Sequence, residues 1–483
     1  MASKTLSGDV FFSSIGELSA GLRAKEYSAV ELTRAFCDRL EKIGAAHNAL
    51  ALSLRKSALK KAKDVDGDLK RERTRGPLQG IPYGAKDLLA VKKEPTEWGS
   101  RGFAGQKFDE DAFVIKKLDA AGAILIGKLA MIELAGGGGY RTAAASSTGA
   151  AQNPWDRTRW AGGSSSGPGV ATAAGLVTFA LGSETSGSII TPSAFCGVTG
   201  LRPTYGLVSR RGAMSLAWTL DKIGPMCRSA EDCGLVLHVI AGADAEDPGS
   251  ARKGFAYVPQ FDRKITDFTI GYAPIDFERA APEAQAAFKA ALDVMKSLGA
   301  KFKEVEIPDF PYQALVETVI GAEAASIFED FIRGPQIDQM VDQSQAATLK
   351  SGLDISAVTY LKAMRIRSLV RSAFREMFYD IDMLLTPSRP TPAPRIADGT
   401  ATGAGSPVAG GRGLTGIIPA GNLAGLPAIS MPCGFASGVP VGISLIGRPW
   451  FENHLIGVGR AFQGQTDWHK RKPPVDGLSP ATL

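Results

Sequence analysis

Between residues 136 and 170 the chain reads GGGGY, AAASSTGA, NPWD and WAGGSSSGPG, then passes without a break into the apolar VATAAGLVTFALGS. A Gly/Ser stretch of this length inside a compact domain is either disordered or functional. Its direct continuation into apolar residues argues for function, because the loop ends where a buried element begins. Val170–Leu181 is rich in Ala and Gly and predicts a buried helix, too short for the roughly 20 apolar residues that cross a bilayer. That helix feeds a second Gly/Ser turn, ETSGSII.

The flanking segments read as mixed helix and strand. Residues 9–75 predict helix: Ser28 precedes AVELTRAFCDRLEKI with Glu31 three positions on, a capping box. Leu32, Phe36, Leu40 and Ile43 then recur at helical spacing. From Gly76, GPLQGIPYGAKDLLAV sets turn residues around a short apolar stretch. A helix is expected at Asp111–Ala121, followed by a buried strand, AILIGK. DFTIGYAPI, APEAQAAFKAALDVMKSLG and KFKEVEI predict a strand–helix–strand unit whose helix closes at Gly299. Residues 312–379 are helical in pattern, with a tail running into DMLLTPS. A Gly/Pro/Thr-rich loop follows at 387–413, then two strands, GLPAISMPC and VPVGISLIG, and a last helix at 450–470. The class is α/β. No repeat and no linker divides residues 1–483, which read as a single domain.

Bulk chemistry excludes several roles. The net charge of +6 is thin over 483 residues. The basic run at 60–75 is broken by acids and carries no aromatics, so it reads as a solvated face and not as a nucleic-acid site. Five cysteines, scattered and without a CxxC, imply neither a disulfide framework nor a zinc site and suit a reducing compartment. MASKTLSGDVFFSS lacks a basic n-region followed by an apolar one, so no secretory signal is expected. These features predict a soluble, cytoplasmic chain with no membrane partner.

The residues able to carry chemistry are few. The four histidines, His47, His238, His454 and His469, all lie outside the Gly/Ser turns, which makes histidine a poor candidate for a base. A lysine can serve if burial lowers its pKa. Lys86, in IPYGAKDLL beside small Gly84 and Ala85, suits that role, although a lone lysine is ordinarily exposed. Two serine turns complete the set: GGSSSG places Ser164, Ser165 and Ser166 before a helix, and SETSGS places Ser188 after Gly187. Glycine beside serine lets backbone N–H groups converge on one space. Either turn alone reads more simply as a helix N-cap, and it is the combination with the lysine that points to chemistry.

Taken together, GIPYGAKD, DAFVIKKLDAAGAILIGK, NPWD, the long WAGGSSSGPGVATAAGLVTFALGSETSGSIITPSAFCGVTGLRPTYGLVSRRG, LDKIGPM, DMLLTPSRPTPAP, AGNLAGLPAISMPCGF and VPVGISLIGRP resemble the amidase signature family over nearly the whole chain. The resemblance implies a mixed central β-sheet sandwiched by helices, and serine hydrolysis of amides without metal or cofactor. It places the catalytic lysine at Lys86, a serine held by a cis peptide at Ser164, and the nucleophile at Ser188. The oxyanion hole falls on the amides of Thr185, Ser186, Gly187 and Ser188, with Ser165 and Glu184 in support. Esters and carbamates are further substrates for such an acyl-enzyme. Dimerisation is a tendency of the family.

Three positions depart from the pattern of its glutamine-dependent, tRNA-linked members. Their GGSIR turn is SGSII here, so Ser186 replaces a glycine and Ile190 replaces an arginine. Glu184 stands where an aspartate is usual, and Ser444 where a glutamine is. The missing arginine removes a clamp for a substrate carboxylate, so a small, neutral, partly apolar amide is expected. Met131, Tyr140 and Ile190 are pocket candidates. Trp98, Phe328, Phe331 and Tyr360 are further ones, for which core packing is the competing role. The helices of 312–379, which carry the least motif, are expected to face the substrate. Three alternatives stand beside this reading: the glutamine-hydrolysing component of a tRNA-dependent amidotransferase, an α/β-hydrolase using Ser165 with a histidine, and a silent scaffold on the same fold.

Overall fold

The computed structural model describes residues 8–258, 263–398 and 415–475. Among the described residues eleven strands form one sheet: β1 (Leu50–Ser53), β2 (Pro82–Lys86), β3 (Ile124–Leu129), β4 (Phe179–Glu184), β5 (Thr199–Arg202), β6 (Lys222–Cys227), β7 (Thr269–Tyr272), β8 (Lys301–Glu304), β9 (Met383–Pro387), β10 (Ala428–Ala436) and β11 (Val439–Gly447). Their order is β1-β3-β2-β4-β6-β5-β10-β11-β9-β7-β8. The sheet is mixed: β4 runs parallel to β2 and antiparallel to β6. Every residue of β2, β4 and β6 is buried, as befits strands covered on both faces. The class is therefore α/β, with helices packed over a mixed sheet.

Several expectations hold. Ser28 and Glu31 form the reciprocal capping box, with Ser28 N donating to Glu31 Oε2 at 2.8 Å and Glu31 N to Ser28 Oγ at 3.1 Å. The strand–helix–strand unit is present: β7 and β8 are parallel, joined through the helix Pro282–Ser297, and Gly299 ends it at φ +88°. AILIGK supplies β3, after a helix at Phe113–Ala120. The last helix is Glu452–Gly464. The hairpin β10–β11 turns through Ser437 and Gly438, both at positive φ, the geometry of a two-residue hairpin loop.

Others need correction. Val170–Leu181 is not one helix. The helix is Ser166–Ala173, and Gly175 at φ +62° turns the chain into β4. A continuous apolar run lacks the period that separates a buried helix from a buried strand. PYGAK, within the stretch read as turn residues around a short apolar run, is strand β2; Gly84 lets it close on β3, because a Cβ there would meet Leu129 Cδ1 at 2.5 Å. β1 interrupts the helical 9–75 segment, and the 312–379 helical tail ends at Asp380, with MLLTP forming β9. Residues 399–413 of the expected loop, and the first seven of the chain, lie outside the described residues. Among the described residues, no helix is long and apolar enough to cross a membrane.

Candidate active site

β2 and β3 pair in parallel with Ala85 opposite Lys128, so Lys128 shares a sheet face with Ala85 and Asp87 while Lys86 points to the other. The two lysines, both fully buried, thus meet different partners. Lys128 Nζ lies 2.9 Å from Asp87 Oδ1 and also donates to Thr96 Oγ1. Lys86 Nζ instead lies 2.7 Å from Ser164 Oγ and 2.9 Å from Ser183 Oγ. Burial pushes the Lys86 pKa down to about 7, against the weaker opposing pull of Asp221 and Glu184. Its neutral form is therefore accessible near neutral pH.

Ser164 follows a cis peptide bond at Gly163–Ser164, and its carbonyl accepts from Ile132 N at 3.1 Å. No side chain fits at Gly163: a Cβ there would meet Ile132 Cγ1 at 2.7 Å and the Tyr140 hydroxyl at 3.0 Å. Ser165 joins the two serine turns. Its hydroxyl donates to Ser183 O at 3.1 Å and accepts from Ser183 N at 3.2 Å, while its own amide donates to Ser188 O at 3.2 Å. A hydroxyl so engaged, with no strand before it and no histidine nearby, is a poor elbow nucleophile. His47 Nδ1 is 3.0 Å from Ile43 O and His238 Nδ1 is 3.1 Å from Phe255 O.

Ser188 lies between Gly187, at φ +91°, and the helix Ile190–Cys196. The amides of Thr185, Ser186, Gly187 and Ser188 have no acceptor among the described residues. Four consecutive free N–H groups on a buried turn make an anion-binding concavity. Glu184 pins the turn by accepting from Ile189 N at 2.9 Å and Ile190 N at 3.0 Å. Its other oxygen takes Arg202 Nη1 at 2.9 Å and Asn422 Nδ2 at 2.8 Å. Burial alone would raise the pKa of Glu184; Arg202, Asn422 and Lys222 outweigh it and hold the carboxylate ionised. Thr185 Oγ1 donates to Asp221 Oδ1 at 2.6 Å, and Asp221 Oδ2 accepts from Leu216 N and Ala217 N. A cavity of about 230 Å³ reaches Ser183 and Thr185 between Leu88, Leu216 and Trp218.

The pocket candidates separate. Tyr140 is partly exposed and sits against Gly163. Met131 is fully buried in the main core, and Ile190 in a second core with Leu220 and Ile418. Trp98 and Phe328 pack with Phe103 and Phe331 in an aromatic cluster, and Tyr360 donates to Glu323 at 2.8 Å. Ser444 bonds Ser388 through their hydroxyls at 2.7 Å. Sequence reasoning missed Ser183, Arg202, Asp221 and Asn422 as supports of the turns. Glu133 was missed too: it accepts from Ser100 Oγ at 2.8 Å and Val341 N at 3.0 Å, tying the 335–352 segment to the loop beside Ser164. All but Glu133 lie inside segments that carry the family resemblance, yet nothing in those segments marks their part in holding the turns. Among the described residues no cluster of three or more His, Cys, Asp or Glu is placed to hold a metal.

A family model described as Amidase matches residues 31–456. The A subunit of glutamyl-tRNA(Gln) amidotransferase from Moorella thermoacetica is 36% identical, over 97% of this chain and 99% of its own length. Its counterpart from Dechloromonas aromatica is 38% identical over 95% and 98%. The solved peptide amidase of Stenotrophomonas maltophilia superposes with a TM-score of 0.83 at 29% identity, covering 96% of this chain and 99% of that one. With a match across nearly its whole length, the chain belongs to the amidase signature family of amide-hydrolysing enzymes.

Proposed function

We propose that the chain cleaves carboxylic amide bonds of small molecules through an acyl-enzyme on Ser188. Neutral Lys86 draws a proton from Ser164 Oγ as Ser164 takes one from Ser188 Oγ, and the freed oxygen attacks the carbonyl. The amides of residues 185–188 hold the oxyanion; each such donor is worth about 10²–10³ in rate. The proton returns through Ser164 to the leaving nitrogen, and water then releases the acid. Esters and carbamates fit the same route. The observation that carries the reading is a fully buried lysine whose nearest partners are serine hydroxyls and not a carboxylate. Because Ile190 leaves the turn uncharged, the group beside the scissile carbonyl is neutral. We place the acyl- or amine-selecting wall on the 312–379 helices, within a single domain.

A second reading, the glutamine-hydrolysing component of a tRNA-dependent amidotransferase, draws support from the full-length relatives of that name. The purified chain, with Ser188→Ala as control, should be assayed on small amides, esters and glutamine. Turnover of simple amides that the variant lacks supports the first reading. Glutamine hydrolysis only after partner proteins are added supports the second.

A further inference from the structure

Four arginines are buried among the described residues: Arg202, Arg228, Arg367 and Arg389. Three are partnered, although Arg202 Nη2 has no acceptor. Arg202 holds Glu184 and Leu426 O, Arg228 donates to the carbonyls of Ala173, His469 and Arg471, and Arg367 to those of Leu423 and Thr219. Arg389, two residues past β9 and 7% exposed, has neither hydrogen bond nor ion pair with any described residue, and its enclosed Nε lacks an acceptor. The stretch outside the described residues that is nearest in sequence, 399–414, contains no Asp or Glu. A buried guanidinium without a counter-charge is costly and ordinarily paired.

Its neighbours locate it. The guanidinium carbon lies 5.8 Å from the ring centre of Phe195, which belongs to the helix that follows Ser188. The same ring packs on Gly162, where a Cβ would approach it to 3.2 Å. Tyr140, whose hydroxyl stands against Gly163, is the titratable side chain that sits close enough to influence Arg389, and burial keeps its phenol protonated. Arg389 thus lies one aromatic layer from the Gly162–Ser164 turn, on a different element from the uncharged Ile190. Burial lowers its pKa to about 10, which leaves it cationic at neutral pH.

We propose that Arg389 receives a carboxylate carried by the substrate, so that the amides this chain cleaves bear an acid group a few bonds from the scissile carbonyl. The proposal rests on the amidase reading above and narrows the expectation of a wholly neutral substrate: the reacting end is neutral and the far end anionic. The forked guanidinium suits a carboxylate bidentately, where lysine offers a point charge.

Matched pairs test it: succinamate against butyramide and malonamate against propionamide, with wild type, Arg389→Met and Arg389→Lys. Wild type should favour the carboxylate-bearing member. Arg389→Met should collapse that preference by roughly 10–100-fold, chiefly through KM, as loss of charge-assisted hydrogen bonds does; Arg389→Lys should fall between. Because no partner among the described residues is lost, Arg389→Met should melt no lower than wild type. A wild-type preference for the neutral members, or an unchanged ratio in both variants, overturns the proposal. If wild type turns over no amide, the amidase reading fails separately. The clamp is then read by calorimetry of succinate binding: loss in Arg389→Met supports it, and equal binding overturns it.

Discussion

Glu184 and Arg202 form an ion pair at 2.9 Å with both side chains essentially without solvent contact, and the free oxygen of that carboxylate caps the helix that starts just after Ser188. The oxyanion turn is therefore held by a charge network, not only by glycine. Removing one member of a buried pair strands the other and costs about 3–5 kcal/mol. Glu184→Gln should lose stability on that scale in denaturant titration and lower kcat, because the amides of 185–188 lose their anchor. Unchanged stability would mean that Arg202 finds another acceptor.

Lys86 makes the opposite trade, since burial favours its neutral form. Its pKa is about 7 in the fold against an ordinary 10.5. Between those values the unfolded chain binds the extra proton, so stability from this group rises with pH, and the full penalty falls below about pH 7. Lys86→Met should therefore raise the melting temperature at pH 6–7 while abolishing turnover. The gain should shrink toward pH 10. Melting curves of both proteins across that range check the sign.

Gly163 admits no Cβ without moving Ile132 or Tyr140. Gly163→Ala should displace Ser164 and cut kcat by about 10² or more, the usual cost of a misplacement near 1 Å. A near-normal kcat would show that the turn relaxes around the methyl.

Ser165→Ala removes the acceptor of Ser183 N, leaving a buried donor unpaired at a cost of about 1–3 kcal/mol. Activity should fall without vanishing, because the hydroxyl positions Ser183 and not the reacting atoms. Complete loss in Ser165→Ala, with Ser188→Ala still active, would favour the hydrolase-elbow alternative.

What the sequence made legible was local. Lys86, Ser164–Ser166 and Glu184–Ser188 each lie in a short run where glycine and serine mark special backbone, and their motifs could be read directly. Ser183, Asp221, Arg202, Asn422 and Arg389 lie in the same family-like segments, but their roles could not be read there, since only the folded contacts assign them; Asn422 is 238 residues from Glu184. The secondary structure failed for the same reason at β2 and β4. Strands buried on both faces show neither alternation nor helical period. Gly175 and Gly84 acted there through backbone geometry that composition alone does not reveal.

The pairing of Lys86 with a Ser188 nucleophile is tested most directly by the rate at which a fluorophosphonate acylation mimic labels the protein as pH is varied, with the modified residue located by peptide mass spectrometry. A single adduct on Ser188 is expected. Its formation should rise with pH to a plateau with an apparent pKa near that of Lys86, about 7, and should lose both speed and pH dependence in Lys86→Met. Labelling on Ser165, or an unaltered profile in Lys86→Met, would contradict it.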